Sequence, residues 1–480
     1  MSQTTNIDDQ DPPDVIDITL RTNTSRRHTP KNNPHRQNKP QSNATAVGAL
    51  LFTSGGMNMA MGLGWTETAL YSLSKHFCHS WFIGVIIGTV LSVPLCYFLT
   101  AKKKWIMVTS ACLILVDGIL FASLPTDYDN LLAARYLNGI AIGLIVVPFL
   151  IHASEIAVDS FRGSCLMTEQ YALTFGIAIQ MIYTPFWPLS LDFPPNRLHG
   201  IFDIIFGIFP LVFITYFTES PIDYIRIGDD MAALNSLARL QYPQIITANT
   251  HAALEQQKFY YQEEKYRSSG KCCGHSALPL IKMLLFRSAM LAFSYNLPLN
   301  LTLRYSVLLN GATWAATVAA ICRVFGAFLA FIMVDHAARR GPSAISAIIM
   351  SSLLISQASM FGNISSDVSN ISGLDAAMSL YIVIQAFGGF FACYTSVYLA
   401  EAFPWRAKPS FMAFCVIVEQ IVQIVLIETI SLRFGDNLLA QGIVALVVGV
   451  LFYFVMPETK NASLAEAQES FRNLITYKRL

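Results

Sequence analysis

Charge is scarce in this chain. Asp, Glu, Lys and Arg make up 13% of its 480 residues, where a soluble domain carries roughly a quarter. That shortage argues against an ordinary soluble globule. The net charge of +1 leaves nothing to hold nucleic acid beyond one basic stretch near the N-terminus. Cysteine supplies no disulfide framework: Cys96, Cys112, Cys165, Cys322, Cys393 and Cys415 lie inside apolar runs, where a small hydrophobe is the ordinary reading. Cys272 and Cys273, with His275 nearby, lack the second half of a zinc pattern and are open as solvated thiols, palmitate acceptors or a partial metal site. No phosphate-cradling Gly-Lys-Ser/Thr loop occurs, nor a His/Cys/Glu set at metal-ligand spacing. Neither an enzyme nor a cofactor is expected.

Apolar residues are plentiful, at 54%, and they are gathered into runs. A helix needs about 20 of them to cross roughly 30 Å of hydrocarbon. Runs of that length fall at 44–64, 81–100, 105–124, 131–152, 165–187 and 199–217, then at 286–309, 311–334, 343–362, 376–400, 408–430 and 437–456. The expected fold is an all-α membrane protein with twelve transmembrane helices in two six-helix halves, 44–217 and 286–456. Residues 1–43, rich in Pro, Asn, Gln and basic side chains, read as a disordered tail. The segment 218–285 joins the halves and carries its own helical periodicity (Met231, Leu234, Leu237, Leu240, then Thr247 to Arg267), so surface helices are expected there. Residues 457–480 form a C-terminal tail.

The loops carrying Lys102, Lys103, Lys104 and Arg339, Arg340 both follow even-numbered spans. Basic loops stay in the cytoplasm, which places both termini and the joining segment inside, most simply at the plasma membrane. The loop with the sequons Asn363-Ile-Ser365 and Asn370-Ile-Ser372 then faces outward, where Asn363 and Asn370 are glycosylation candidates. The bilayer is one partner and a small solute the other. Oligomeric state is left open.

Charged residues at the span ends form a recurrent pattern. Arg135-Tyr-Leu-Asn-Gly139 is followed by Gly143, Glu155 and Arg162-Gly163. Further along come Glu219-Ser-Pro221, Asp335-His-Ala-Ala-Arg339-Arg340, Glu401-Ala-Phe-Pro404 with Arg406 and Lys408, and Pro457-Glu458-Thr459-Lys460 before Ser463-Leu464. This series resembles the sugar porter family of the major facilitator superfamily over about residues 44–475. Gly64-Trp65-Thr66 is similar to the first-span motif of its insect trehalose facilitators. The resemblance implies a gating cluster of ion pairs between the halves, formed by Glu155, Arg162, Glu219, Asp335, Arg339, Arg340, Glu401, Arg406, Lys408 and Glu458. Retention of topology by positive charge is the plainer reading of the same Arg and Lys residues. The family's acidic position in the first such loop falls on Phe98.

The resemblance also implies a sugar site, since Gln and Asn offer hydroxyl-rich ligands both donors and acceptors. Gln170 and Asn300 match family amides. Ser294 and Tyr295 stand where the family has two glutamines, and Ser396 where it has a tryptophan. Inside the spans, Arg323 and Glu419 need partners or water. The expectation is an Arg323–Glu419 pair, the alternative being Arg323 as a ligand contact. Asp117 and Glu428 lie nearer the outer end, Glu67 at the outer end of the first span, and His152 and Glu169 at the cytosolic end. With no acid in the middle of the first span, facilitated diffusion of a sugar or polyol is expected. A same-fold transporter of a non-sugar organic solute, an anion among the candidates, and a transport-poor nutrient sensor are the alternatives.

Overall fold

The computed structural model describes residues 34–66, 74–187, 192–266, 269–364, 371–430 and 434–474, and all regular structure in them is helical. The first half contains α1 (Pro34–Gly62), α2 (Lys75–Phe98), α3 (Lys104–Ser123), α4 (Tyr128–Ile156), α5 (Arg162–Tyr183) and α6 (Pro195–Phe213). Four further helices follow: α7 (Pro221–Ile227), α8 (Asp230–Arg239), α9 (Ala248–Tyr266) and α10 (Ser269–Met283). The second half continues from α10 through a π-helical turn (Leu284–Ala289), α11 (Met290–Ser294) and α12 (Leu297–Asn310), which together make one broken span. It is completed by α13 (Trp314–Met333), α14 (Arg340–Ile364), α15 (Ile371–Glu401), α16 (Lys408–Glu428) and α17 (Phe434–Val455), with α18 (Leu464–Arg472) beyond.

Ten of these spans are long and apolar enough to cross a membrane on composition alone. The other two, α1 and α5, are diluted by polar residues: Gln41 and Asn58 in the first, Glu169, Gln170 and Gln180 in the second, all buried. α1 begins at Pro34, ahead of the boundary expected at 44, because Gln41 is tied down by donating to Leu240 O at 3.3 Å and accepting from Val158 N at 3.1 Å. Asn370 and Glu67 lie outside the described residues, as do the side chains of Asn363, Cys272, Cys273 and His275.

The helices pair in the same way twice. α2 packs on α4, α3 on α6 and α1 on α5; in the second half α13 packs on α15 and α14 on α17. That recurrence is the internal repeat typical of transporter folds. Small residues permit the closest pairings. A Cβ on Gly139 would sit 2.3 Å from Trp81 O, and one on Gly143 would sit 2.2 Å from Val85 O. The spaced glycines of the fourth span therefore serve helix approach. The halves meet where α5 contacts α13 and α15, and where α2 contacts α16. Helices α7, α8 and α9 share a small apolar core of Ile225, Ala233, Leu234 and Leu254 and lie at one end of the bundle, called here the linker end.

Candidate functional site

At the linker end, charges cross between the halves. Arg162 begins α5, and its Nε donates to Glu401 Oε1 at 2.7 Å at the end of α15. Its other nitrogens reach Asp159 Oδ1 and Ala462 O, both at 2.6 Å. Glu401 also receives Arg339 Nη1 at 3.0 Å. Asp335 accepts from Gly163 N, Ser164 N and Ser164 Oγ at 3.1, 3.0 and 2.6 Å. Lys408 donates to Ser154 Oγ at 2.6 Å. The carboxylates of Glu401 and Asp335 hold the Arg339 guanidinium protonated more firmly than usual, against the opposing effect of burial.

Glu155, Glu219 and Glu458, also expected in the interdomain cluster, bond on their own side of the interface. Arg406 is bridged to the first half by Tyr97 OH, which donates to the Arg406 carbonyl at 2.9 Å. Glu155 pairs with Lys103 at 3.2 Å and Arg226 at 2.8 Å. Glu219 accepts from the backbone N–H groups of Lys103 and Lys104 at 3.1 and 2.9 Å. Burial would lower the Lys103 pKa, but Asp223 and Glu155 outweigh it and raise it. Glu458 accepts from the backbone N–H groups of Arg339 and Arg340, and Arg406 donates to Lys265 O. The reason is local geometry. Helix α7 folds back under the first half and offers Asp223 and Arg226 to the charges that the span ends present. Phe98, at the family's acidic position, is 82% exposed.

The opposite end is also closed. Asn300 Nδ2 on α12 donates to Leu63 O at the end of α1 at 2.9 Å, and Arg304 donates to Gly64 O. Gly64 has φ +106°, a conformation open to glycine without strain. An exposed pair, Lys75–Glu428 at 2.7 Å, links α2 to α16.

Between these closures lies a cavity walled by both halves, with Trp81, Glu169, Gln170, Arg287, Tyr295, Arg323, Glu419 and Gln420 among its lining. Its volume is about 40 Å³, room for roughly three waters. Arg287 organises it. The guanidinium meets Glu169 through two nitrogens, at 3.1 and 3.4 Å, and Glu419 through Nε at 3.3 Å. It also donates to Thr395 Oγ1 and Ser396 Oγ at 3.2 and 3.3 Å. Glu169 further accepts from Ser396 Oγ and, at 2.8 Å, from Gln170 Nε2. Arg287 sits in the π-helical turn, a distortion that often marks functional positions.

The expected Arg323–Glu419 pair is therefore not formed. Glu419 belongs to Arg287, while Arg323 turns to Gln385 Oε1 at 2.8 Å, Ser294 O at 3.3 Å and the Tyr295 ring at 4.8 Å. Both lie at similar depth, but the rotation of α13 aims Arg323 at α15 rather than α16. Gln170 and Tyr295 line the cavity. Ser294 offers its backbone carbonyl to Arg323, and Ser396 reaches the site through Glu169. Asn300 does not line the cavity: its amide is consumed by Leu63 O and by Tyr381 OH at 2.7 Å. Glu169 is a midplane residue rather than a span-end one. His152 is buried against Phe217, ring centroids 4.3 Å apart. Asp117 accepts from Asn138 Nδ2 at 2.8 Å, and Asn138 in turn receives the Trp81 indole at 2.9 Å. Sequence reasoning missed Arg287 and Gln420. An Arg inside an apolar run is the signal that would have found the first.

Two related helical halves, shut at both ends around a midplane cavity that holds buried charged side chains, define a major facilitator transporter. The family model described as sugar (and other) transporter matches residues 21–471, nearly the whole chain, and the chain belongs to that family. The sugar transporter ERD6 of Arabidopsis thaliana is 23% identical over 93% of either chain. The arabinose-proton symporter of Escherichia coli K12 is 26% identical over 33% of this chain and 34% of its own. Among solved structures, the proton:xylose symporter XylE bound to 6-bromo-6-deoxy-D-glucose superposes with a TM-score of 0.72, at 18% identity, over 90% of this chain and 98% of that one. The inward-open form of XylE from E. coli gives 0.61 at 18% identity, over 89% and 98%.

Proposed function

We propose that this chain carries a sugar or polyol across a membrane by alternating access, with the two halves rocking about the midplane cavity. One observation carries the reading: a largely apolar cavity set with a few buried polar and charged side chains lies on the interface between the halves, with a separate cross-half latch at either end. A cavity of about 40 Å³ cannot admit a hexose unless one latch releases, so the closed arrangement reads as an occluded state. The relatives named above as sugar transporters support the substrate class. Gln170 and Gln420 are the amides placed to meet hydroxyls, while Tyr295 and Trp81 offer ring faces to the apolar side of a sugar.

In this reading Arg162, Glu401, Arg339, Asp335 and Lys408 form the gate at the linker end. Glu155, Glu219, Arg340, Arg406 and Glu458 brace the helices that carry it. Buried pairs of this kind need tip the equilibrium by only a few kcal/mol to choose the dominant state. In this reading the linker end, rich in Lys and Arg, lies in the cytosol with both termini, the membrane is the plasma membrane, and Asn363 and Asn370 face outward as glycosylation candidates. Uptake of a panel of labelled sugars, sugar acids and polyols into proteoliposomes tests the function. Saturable uptake of at least one is expected, and uptake of none sinks the reading.

A further inference from the structure

Resting on the transporter reading, we propose that the solute carries a carboxylate and that Arg323 receives it, so that the substrate class is the sugar acids. Arg323 is 2% exposed and lines the cavity. Everything it touches is formally neutral: a carbonyl, the Gln385 amide and the Tyr295 ring. Among the described residues no carboxylate lies within salt-bridge distance of it, and its Nε has no hydrogen-bond partner.

The two carboxylates that line the cavity are already committed. Glu169 and Glu419 both bind Arg287, and Glu169 is held further by Ser396 and Gln170. One guanidinium thus has two carboxylates and the other has none. Arginine cannot shed its proton to escape burial, and an uncompensated buried charge is costly. Arg162, Arg287 and Arg339, all equally buried, are each paired with acids. Arg135 is also buried without a salt bridge, but it lies away from the cavity and is met by Asn58 O, Phe77 O and Ser80 Oγ. Arg323 faces the one space a solute must occupy.

A monoanion fits this vacant valence. The planar fork of a guanidinium matches a carboxylate, and because Arg287, Arg323, Glu169 and Glu419 sum to zero charge in the wall, a monoanion on Arg323 leaves less unpaired charge than a phosphate dianion. Two amides in an otherwise largely apolar wall can meet hydroxyls: Gln420 Oε1 is buried without a partner, and Gln170 shares the cavity. A uronate or aldonate combines both features.

The test is uptake of labelled glucose, xylose, mannitol, glucuronate and gluconate into proteoliposomes holding the full chain at pH 7. Thermal unfolding of the detergent-solubilised protein with each solute runs alongside. Glucuronate or gluconate is expected to exceed the neutral sugars by about tenfold or more in uptake and to raise the unfolding midpoint where glucose does not. Arg323→Gln should lose that preference. If neutral sugars move while the acids neither move nor stabilise, this proposal fails and the sugar reading stands. If no member of the panel moves or stabilises, both fail. Undiminished acid uptake by a folded Arg323→Gln also overturns the proposal, and the wild-type stabilisation decides the matter should that variant not fold.

Discussion

Arg287 and Glu169 grip one another across the interface between the two halves, through two guanidinium nitrogens at 3.1 and 3.4 Å. The arginine is anchored to its own half by Glu419, Thr395 and Ser396, so the glutamate is the part that leaves when the halves separate. This asymmetry sets unequal costs for the two substitutions. Glu169→Gln keeps a hydrogen-bonding side chain and leaves Arg287 with Glu419. Its expected cost is about 1–3 kcal/mol. Arg287→Gln strands two carboxylates beside each other, at about 3–5 kcal/mol. Thermal unfolding of both variants in detergent checks the order, and a Glu169→Gln variant less stable than Arg287→Gln contradicts the assignment.

The linker-end latch depends on a glycine as much as on charge. A Cβ on Gly163 would lie 2.4 Å from Asp335 Oδ1 and 2.6 Å from Val334 Cγ2. Gly163→Ala should push Asp335 off the start of α5 and cost about 1–3 kcal/mol in the closed form. The expected readout is faster modification of the buried native Cys165, in the same first turn of α5, by a membrane-impermeant thiol reagent. Unchanged labelling would mean that the contact of Asp335 with α5 does not hold the latch shut.

Arg162 serves Glu401, Asp159 and Ala462 O at once. A lysine has one ammonium in place of a three-pronged fork. Arg162→Lys is therefore expected to behave nearly as Arg162→Ala, each lowering transport by roughly tenfold or more through loss of about 2–4 kcal/mol from the closed form. Pairing either with Glu401→Gln should cost more than the single change, because Glu401 also holds Arg339 at 3.0 Å. Full activity in Arg162→Lys would show that charge alone suffices at this position.

The span ends were legible in the sequence because charge at the end of an apolar run has a fixed address. Arg162, Asp335, Arg339 and Glu401 come together as their positions imply. Depth and rotation were harder to read. Glu169 lies seven residues beyond Arg162, and at 1.5 Å per residue that is about 10 Å into the bundle, so nearness in sequence to the linker end misplaced it. Arg323 and Glu419 sit at similar depth, but spacing along a helix does not say which neighbour a side chain faces. Arg287 escaped notice because a span starting at 286 makes it an end residue. The helix in fact begins well before it and carries it inward through the π-helical turn.

The two amides matched to a sugar site make opposite predictions. Gln170 lines the cavity, and its nitrogen bonds only the neighbouring Glu169, at 2.8 Å. Asn300 is spent on closure, donating to Leu63 O and accepting from Tyr381 OH. Gln170→Leu should therefore leave folding near normal and raise KM several-fold, each lost hydrogen bond being worth about 1 kcal/mol net. Asn300→Ala should leave solute affinity in the closed site little changed. It should loosen the end opposite the linker and lower the unfolding midpoint by removing two buried hydrogen bonds, together about 2 kcal/mol. Concentration-dependent uptake and thermal unfolding of both variants separate the roles. A KM effect in Asn300→Ala as large as that in Gln170→Leu would return Asn300 to the binding site and show that the closed arrangement hides part of it.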